Sequence, residues 1–296
     1  MNRLLNAIVK LFIRTFLPGI ARSLEAEGQF DFRDKDGLTA QDLESLAIQV
    51  ENNGADTTLV CFAGMAVLYA AMPKFEFRKT LTETGGQYNF IWVRDIHRAS
   101  YHLAPDGTRT GYAFYAEVLN RALAGLPSRL NVAIGASGGG TAAFAFSGRL
   151  PIHRVIVFNP AFPLEEYASS TNLRRVVFDL PKLLRRPGDY FETLLVTLSA
   201  WYLWKRNCRL MGPSNLPDTL SCYLEKDPPA QATVFYSDHC PPDTAQALKL
   251  MNIPTITLKP VPSGRHNCMG ELKQRGELGT LIQSEIQRPL PPQANQ

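Results

Sequence analysis

Residues Leu130 to Phe146 read LNVAIGASGGGTAAFAF. Leu130–Gly135 is a short apolar run of the kind that forms a buried strand. It enters Gly135-Ala136-Ser137-Gly138-Gly139, and small helix-compatible residues follow from Gly139 to Ser147. This is G-x-S-x-G between a strand and a helix, the setting that its mechanics require. Small neighbours let the backbone turn sharply at the serine, and the turn holds its Oγ above the C-terminal edge of the sheet. The N–H of Gly138 then points to the same place from the positive end of the new helix. A phosphate loop would need a lysine after its last glycine, and none follows Gly140. The dinucleotide pattern G-x-G-x-x-G fails as well, because Ser137 stands at its second glycine.

On either side of this stretch, strand-like runs alternate with helical spacing. The strands are expected at Thr57–Phe62, Asn89–Val93, Leu130–Gly135, Arg154–Phe158, Ala232–Tyr236 and Thr255–Leu258. Helical patterns cover Tyr112–Ala124, Gly139–Ser147, Asp243–Met251 and Gly270–Ile286. The alternation predicts an α/β fold, a mostly parallel sheet flanked by helices. Before it, Thr39 and Asp42 form an N-cap pair for a helix through Val50, so residues 1–56 read as an N-terminal helical segment. Too many residues separate Phe158 from Ala232 for a simple crossover, which predicts a helical insertion at about 163–228 within a domain spanning 57–286. That insertion contains Arg174, Arg175, Lys182, Arg185 and Arg186, and then an apolar run, Leu194–Trp204, with Trp201, Tyr202 and Trp204. The run reads equally well as a lid over a groove or as a buried helix. Residues 287–296 are rich in Pro and Gln and read as a frayed tail.

With the serine turn and the strand–helix alternation together, the chain resembles the α/β-hydrolase superfamily from about Thr57 to Ile286, and the turn resembles that superfamily's nucleophile elbow. The resemblance implies a helical cap on the sheet and a serine hydrolase or acyl-transfer enzyme acting on an ester or thioester. It further implies an acid and a histidine following the serine in that order. Asp238, just after the strand ATVFYS, is the favoured acid. Asp243 is its competitor, but its place after Pro241-Pro242 reads better as a helix N-terminal residue. His266, in the loop PSGRHNCMGEL before the last helix, is the expected base. His97 and His102 precede the serine, His153 opens a strand and His239 adjoins the acid. Gly138 and Met65, next after Gly64 in FAGMAV, are the candidate oxyanion donors, although Ala63-Gly64 stands where the family has His-Gly. The segments MPKFEFRKTL and NFIWVRD also resemble α/β-hydrolase-like proteins found with bacterial surface-glycan machinery. A non-catalytic partner or scaffold in a biosynthetic pathway is therefore the alternative function. No organic cofactor and no metal are expected. His239-Cys240 and His266-x-Cys268 hold zinc-capable groups, but the paired spacings of zinc sites are missing. Arg94-Asp95, at the end of a strand, reads as a surface ion pair, with contact to a polar substrate group as its alternative.

Composition adds limits rather than a function. The 296 residues are 45% hydrophobic and 20% charged, within the range of one large α/β domain. A net charge of +4 is mild and gives no reason to expect nucleic acid as a partner. Five widely spaced cysteines argue for a reducing compartment, and Lys10 and Arg14 break any signal-like apolar run, so a cytoplasmic location is expected. No uncharged run is long enough to span a bilayer. Leu4, Leu5, Ile8, Val9, Phe12 and Phe16 recur with helical spacing, with Arg3, Lys10 and Arg14 elsewhere on the wheel. That pattern suits either a helix packed on its own domain or peripheral contact with an anionic membrane. The expected small-molecule partner is the ester or thioester, with a lipidic acyl chain compatible.

Overall fold

A computed structural model describes residues 11, 14–15, 38–65, 75–161, 169–212, 216 and 218–290. The apolar N-terminal stripe and the end of the Pro/Gln tail lie largely outside these residues.

Seven strands form one sheet: β1 (Ile48–Glu51), β2 (Thr57–Phe62), β3 (Asn89–Val93), β4 (Leu130–Ala136), β5 (Arg154–Phe158), β6 (Gln231–Ser237) and β7 (Ile256–Val261). Their spatial order is β1-β3-β2-β4-β5-β6-β7. β1 runs antiparallel to β3 and all other neighbours pair in parallel. The central strands are near-continuous apolar runs because both faces of the sheet are covered. Val60, Phe62, Ile91, Val93, Val155 and Val157 go to one core. Leu59, Cys61, Phe90, Trp92, Ile156 and Phe158 alternate with them into the other.

On the first face lie α1 (Ala40–Ala47), α3 (Gly111–Ala124), α4 (Gly138–Ser147), α8 (Thr219–Leu224) and α9 (Pro241–Lys249). On the second lie α2 (Arg78–Glu83), α10 (Cys268–Gln274) and α11 (Leu278–Gln287). The insertion between β5 and β6 supplies α5 (Ser170–Val177), α6 (Leu180–Arg185) and the 25-residue α7 (Pro187–Met211).

Three boundaries differ from the sequence reading. The capping box at Thr39 and Asp42 is present, but its helix stops at Ala47 rather than running to Val50. Ile48-Gln49-Val50 is β-branched and alternating, and pairing with β3 outweighs the helical spacing there, so the sheet begins inside the segment read as 1–56. The helix expected over Gly270–Ile286 is two, because Gly276 takes a left-handed φ of 73° between them. The region read as insertion also ends in α8, which packs on α4 in the body of the domain and not in a cap.

Candidate active site

β4 ends at Ala136 and α4 begins at Gly138, leaving Ser137 alone at the corner with φ 50° and ψ −123°. Side chains other than glycine rarely take a positive φ, and holding one there costs on the order of 1–3 kcal/mol. The surroundings supply that hold. Ser137 N–H donates to the Phe158 carbonyl at 2.8 Å, and the Ser137 carbonyl accepts from Thr141 N–H at 3.0 Å. Two glycines make the corner sterically possible. A Cβ on Gly135 would stand 2.2 Å from the Gly139 carbonyl oxygen, and one on Gly139 would stand 2.3 Å from that of Phe62.

His266 lies in the loop between β7 and α10, and its Nε2 is 2.8 Å from Ser137 Oγ. Its Nδ1 is 2.8 Å from Oδ1 of Asp243, not of Asp238. The structure therefore brings Ser137 and His266 together as the sequence predicts, and it places Asp243 beside His266 where Asp238 was expected. The reason is local. Asp238 N–H still bonds the Val261 carbonyl, so its backbone prolongs β6 and its side chain leaves the sheet on the face opposite that of Ser237. There it is 31% exposed and meets His239 Nδ1 at 2.7 Å. Asp243 is the third residue of α9, and its side chain is fully buried against His266. Its helix N-terminal position, taken in the sequence reading as an argument against it, is part of what suits it: the helix's positive end favours a carboxylate at that place.

Burial by itself would lower the His266 pKa. The Asp243 carboxylate and its hydrogen bond outweigh that, with the charge of Glu192 added to them, and the net displacement is upward. Glu192 comes from α7, accepts the Asn267 N–H at 3.0 Å, and has its own carboxyl pushed up by burial. In the base role expected for it, His266 works only while neutral, so kcat/KM should fall on the acid side through a pKa above the ordinary histidine value of about 6.5. Glu192→Gln keeps an acceptor for Asn267 and removes the charge. A pH profile of this variant should show the acid limb moved to lower pH with the alkaline plateau retained; an unmoved limb would rule out this electrostatic contribution.

The backbone around His266 is fastened by groups that sequence reasoning passed over. Asn159, at φ 42° after β5, donates to the His266 carbonyl and to Ser237 Oγ, and accepts Ser237 N–H at 2.8 Å. Arg265 Nε meets Asp189 Oδ1 at 2.6 Å, and Lys182 Nζ donates to the Gly264 carbonyl at 2.7 Å. The one sequence signal for Asn159 was an Asn-Pro pair at a strand end, where asparagine tolerates a left-handed φ.

The two candidate oxyanion donors sit side by side. The Met65 side chain packs on Gly138, where a Cβ would come within 2.7 Å of Met65 Cγ. Neither Gly138 N–H nor Met65 N–H has an acceptor among the described residues. Arg94-Asp95 is not the surface ion pair expected. Asp95 is buried and gathers the N–H groups of His97, Ala99 and Tyr101, while the Arg94 guanidinium lies 4.4 Å from the Phe75 ring centre. Cys240 and Cys268 are buried free thiols, and among the described residues no three His, Cys, Asp or Glu side chains are grouped to hold a metal. A hollow of about 570 Å³ opens at the opposite end of the sheet, against Thr57, Tyr88, Arg129 and Leu130, away from Ser137.

No protein-family model matches the sequence, and no curated protein matches it either. Solved structures do match. A candidate esterase from Staphylococcus aureus is similar over 82% of this chain and 81% of its own, at 13% identity and a TM-score of 0.53. MGS-M2, an alpha/beta hydrolase enzyme from a Medee basin deep-sea metagenome library, is similar over 83% and 96%, at 16% identity and a TM-score of 0.50. The capsule O-acetyltransferase of Neisseria meningitidis serogroup A is similar over 80% and 90%, at 17% identity and a TM-score of 0.47. The chain has the α/β-hydrolase fold.

Proposed function

We propose that this chain is a serine hydrolase or acyl-transfer enzyme that cleaves an ester or thioester through Ser137, His266 and Asp243. The observation that carries the reading is the unbroken series Asp243–His266–Ser137, with 2.8 Å at each link. Ser137 Oγ attacks the carbonyl carbon as His266 Nε2 takes its proton. Asp243 holds the tautomer with the proton on Nδ1 and stabilises the imidazolium that forms. The N–H groups of Gly138 and Met65 receive the negative charge on the carbonyl oxygen. The imidazolium gives its proton to the departing alcohol or thiol, leaving the acyl group on Ser137. Water or a second nucleophile then attacks, losing its proton to His266, which passes it to Ser137 Oγ as the bond to the acyl carbon breaks and the acid or new ester leaves. The strained corner at Ser137 supports the same reading, since backbone strain of this kind gathers at functional sites.

A fluorophosphonate probe tests this directly. The full-length protein should be labelled once, on a peptide containing Ser137, and His266→Ala should abolish the labelling. Labelling elsewhere, or none in the folded protein, would refute the assignment.

A further inference from the structure

The insertion turns an apolar surface outward. On α7, Asp189, Thr193, Thr197, Ala200, Leu203 and Asn207 are buried toward the body of the domain. Phe191, Leu195, Leu198 and Tyr202 recur at spacings of four, three and four on the other side and are exposed. On α6, Lys182 reaches inward to Gly264, which leaves Leu180 and Leu184, two residues to either side, facing out. Leu184 is 83% exposed, and Phe178 just before the helix is 73% exposed. Isolated exposed apolar residues need no explanation, but this many large ones within one short segment do.

Among residues 170–212, the exposed charges are of one sign. Arg174, Arg175, Arg185, Arg186, Lys205 and Arg209 are exposed. Residues 170–212 contain three acids, Asp179, Asp189 and Glu192. Asp179 caps α6, whereas Asp189 and Glu192 are engaged inward with Arg265 and Asn267. Exposed aromatic and leucine side chains in a segment whose exposed charged residues, from 170 to 212, are all arginine or lysine have the composition of a surface that lies in an anionic lipid interface. A second copy of this chain would bring the same basic rim against itself across a two-fold axis. The first 24 residues of this chain are basic and hold no acid, so they offer no complementary charge either. A nucleic-acid partner would leave the apolar centre without purpose.

We infer that the outward face of α6 and α7 binds the protein peripherally to membranes containing anionic lipid, with Leu184, Phe191 and Leu195 entering the headgroup boundary and Arg174 and Arg185 meeting lipid phosphate. Among the described residues no helix is long and apolar enough to cross a membrane, so the attachment is to the surface.

Co-sedimentation of the full-length protein with vesicles tests the inference. One set is phosphatidylcholine alone, and the other an equal mixture with phosphatidylglycerol. Binding should require the mixture and weaken as salt is raised. Arg174→Gln with Arg185→Gln should lower partitioning by roughly 25-fold, about fivefold per charge. Leu184→Ser with Phe191→Ser should lower it at least about tenfold. These side chains are exposed, so thermal unfolding and hydrolysis of a soluble ester should stay as in the parent. Equal binding to both vesicle types, no binding to either, or undiminished binding by both double variants would overturn the inference. So would a concentration-dependent dimer, seen by light scattering, that the same substitutions dissolve.

Discussion

Ser137→Ala should lose activity toward an activated ester such as 4-nitrophenyl acetate by roughly 10³-fold or more while unfolding at the same temperature as the parent. The size follows from cooperation. Without Oγ, the proton transfer at His266 and the orientation supplied by Asp243 have nothing to act on. The fold should tolerate the change because the hydroxyl is bound to His266 rather than to the framework that makes the corner. That framework is the backbone bond to Phe158 and the close approaches of Gly135 and Gly139, and alanine keeps both. Parallel ester hydrolysis and melting curves give the measurement. Most of the activity surviving in a well-folded variant would remove Ser137 from the chemistry.

The second large effect separates two aspartates five residues apart. Asp243→Asn should lower kcat/KM by up to about 10⁴-fold, because an amide facing Nδ1 can donate to it and stabilise the wrong imidazole tautomer. It also removes the charge that lifts His266, so residual activity should persist to lower pH than in the parent. Asp238→Asn should change activity only a few-fold, since its carboxylate meets the exposed His239 and not His266. Measuring both variants across the same pH range discriminates cleanly. Equal losses, or a larger loss at Asp238, would return the acid's role to the end of β6.

Much of this architecture was legible in the sequence where the signal was local. The strand–turn–helix corner at Ser137 is a contiguous string, and the buried strands are apolar runs that need no knowledge of their neighbours. His266 was legible from its order in the chain and its place in a loop after a strand. The aspartate that meets His266 was not, because the choice turned on whether Asp238 remained in the pleat of β6, and that depends on its hydrogen bond to β7. β1 was missed for a similar reason. Ile48–Glu51 continues the apolar spacing of α1, and only the neighbouring β3 turns it into an edge strand. The contacts that steady the His266 loop left no trace at all. Arg265 and Asp189 are 76 positions apart, and an ion pair at that separation has no sequence pattern.

Those contacts couple two properties that are usually separable. At one end of α7, Asp189 and Glu192 grip Arg265 and Asn267, the residues on either side of His266. At the other, Arg206 and Asn207 donate to the carbonyls of His97, Arg98 and Ala99. The helix, about 37 Å long at 1.5 Å per residue, is thus a beam resting on two piers. Lifting the first end would strip His266 of its flanking supports in the same motion. A displaced beam would then mean an unsteadied imidazole, and the observed rate would scale with the fraction of molecules in which the beam is seated.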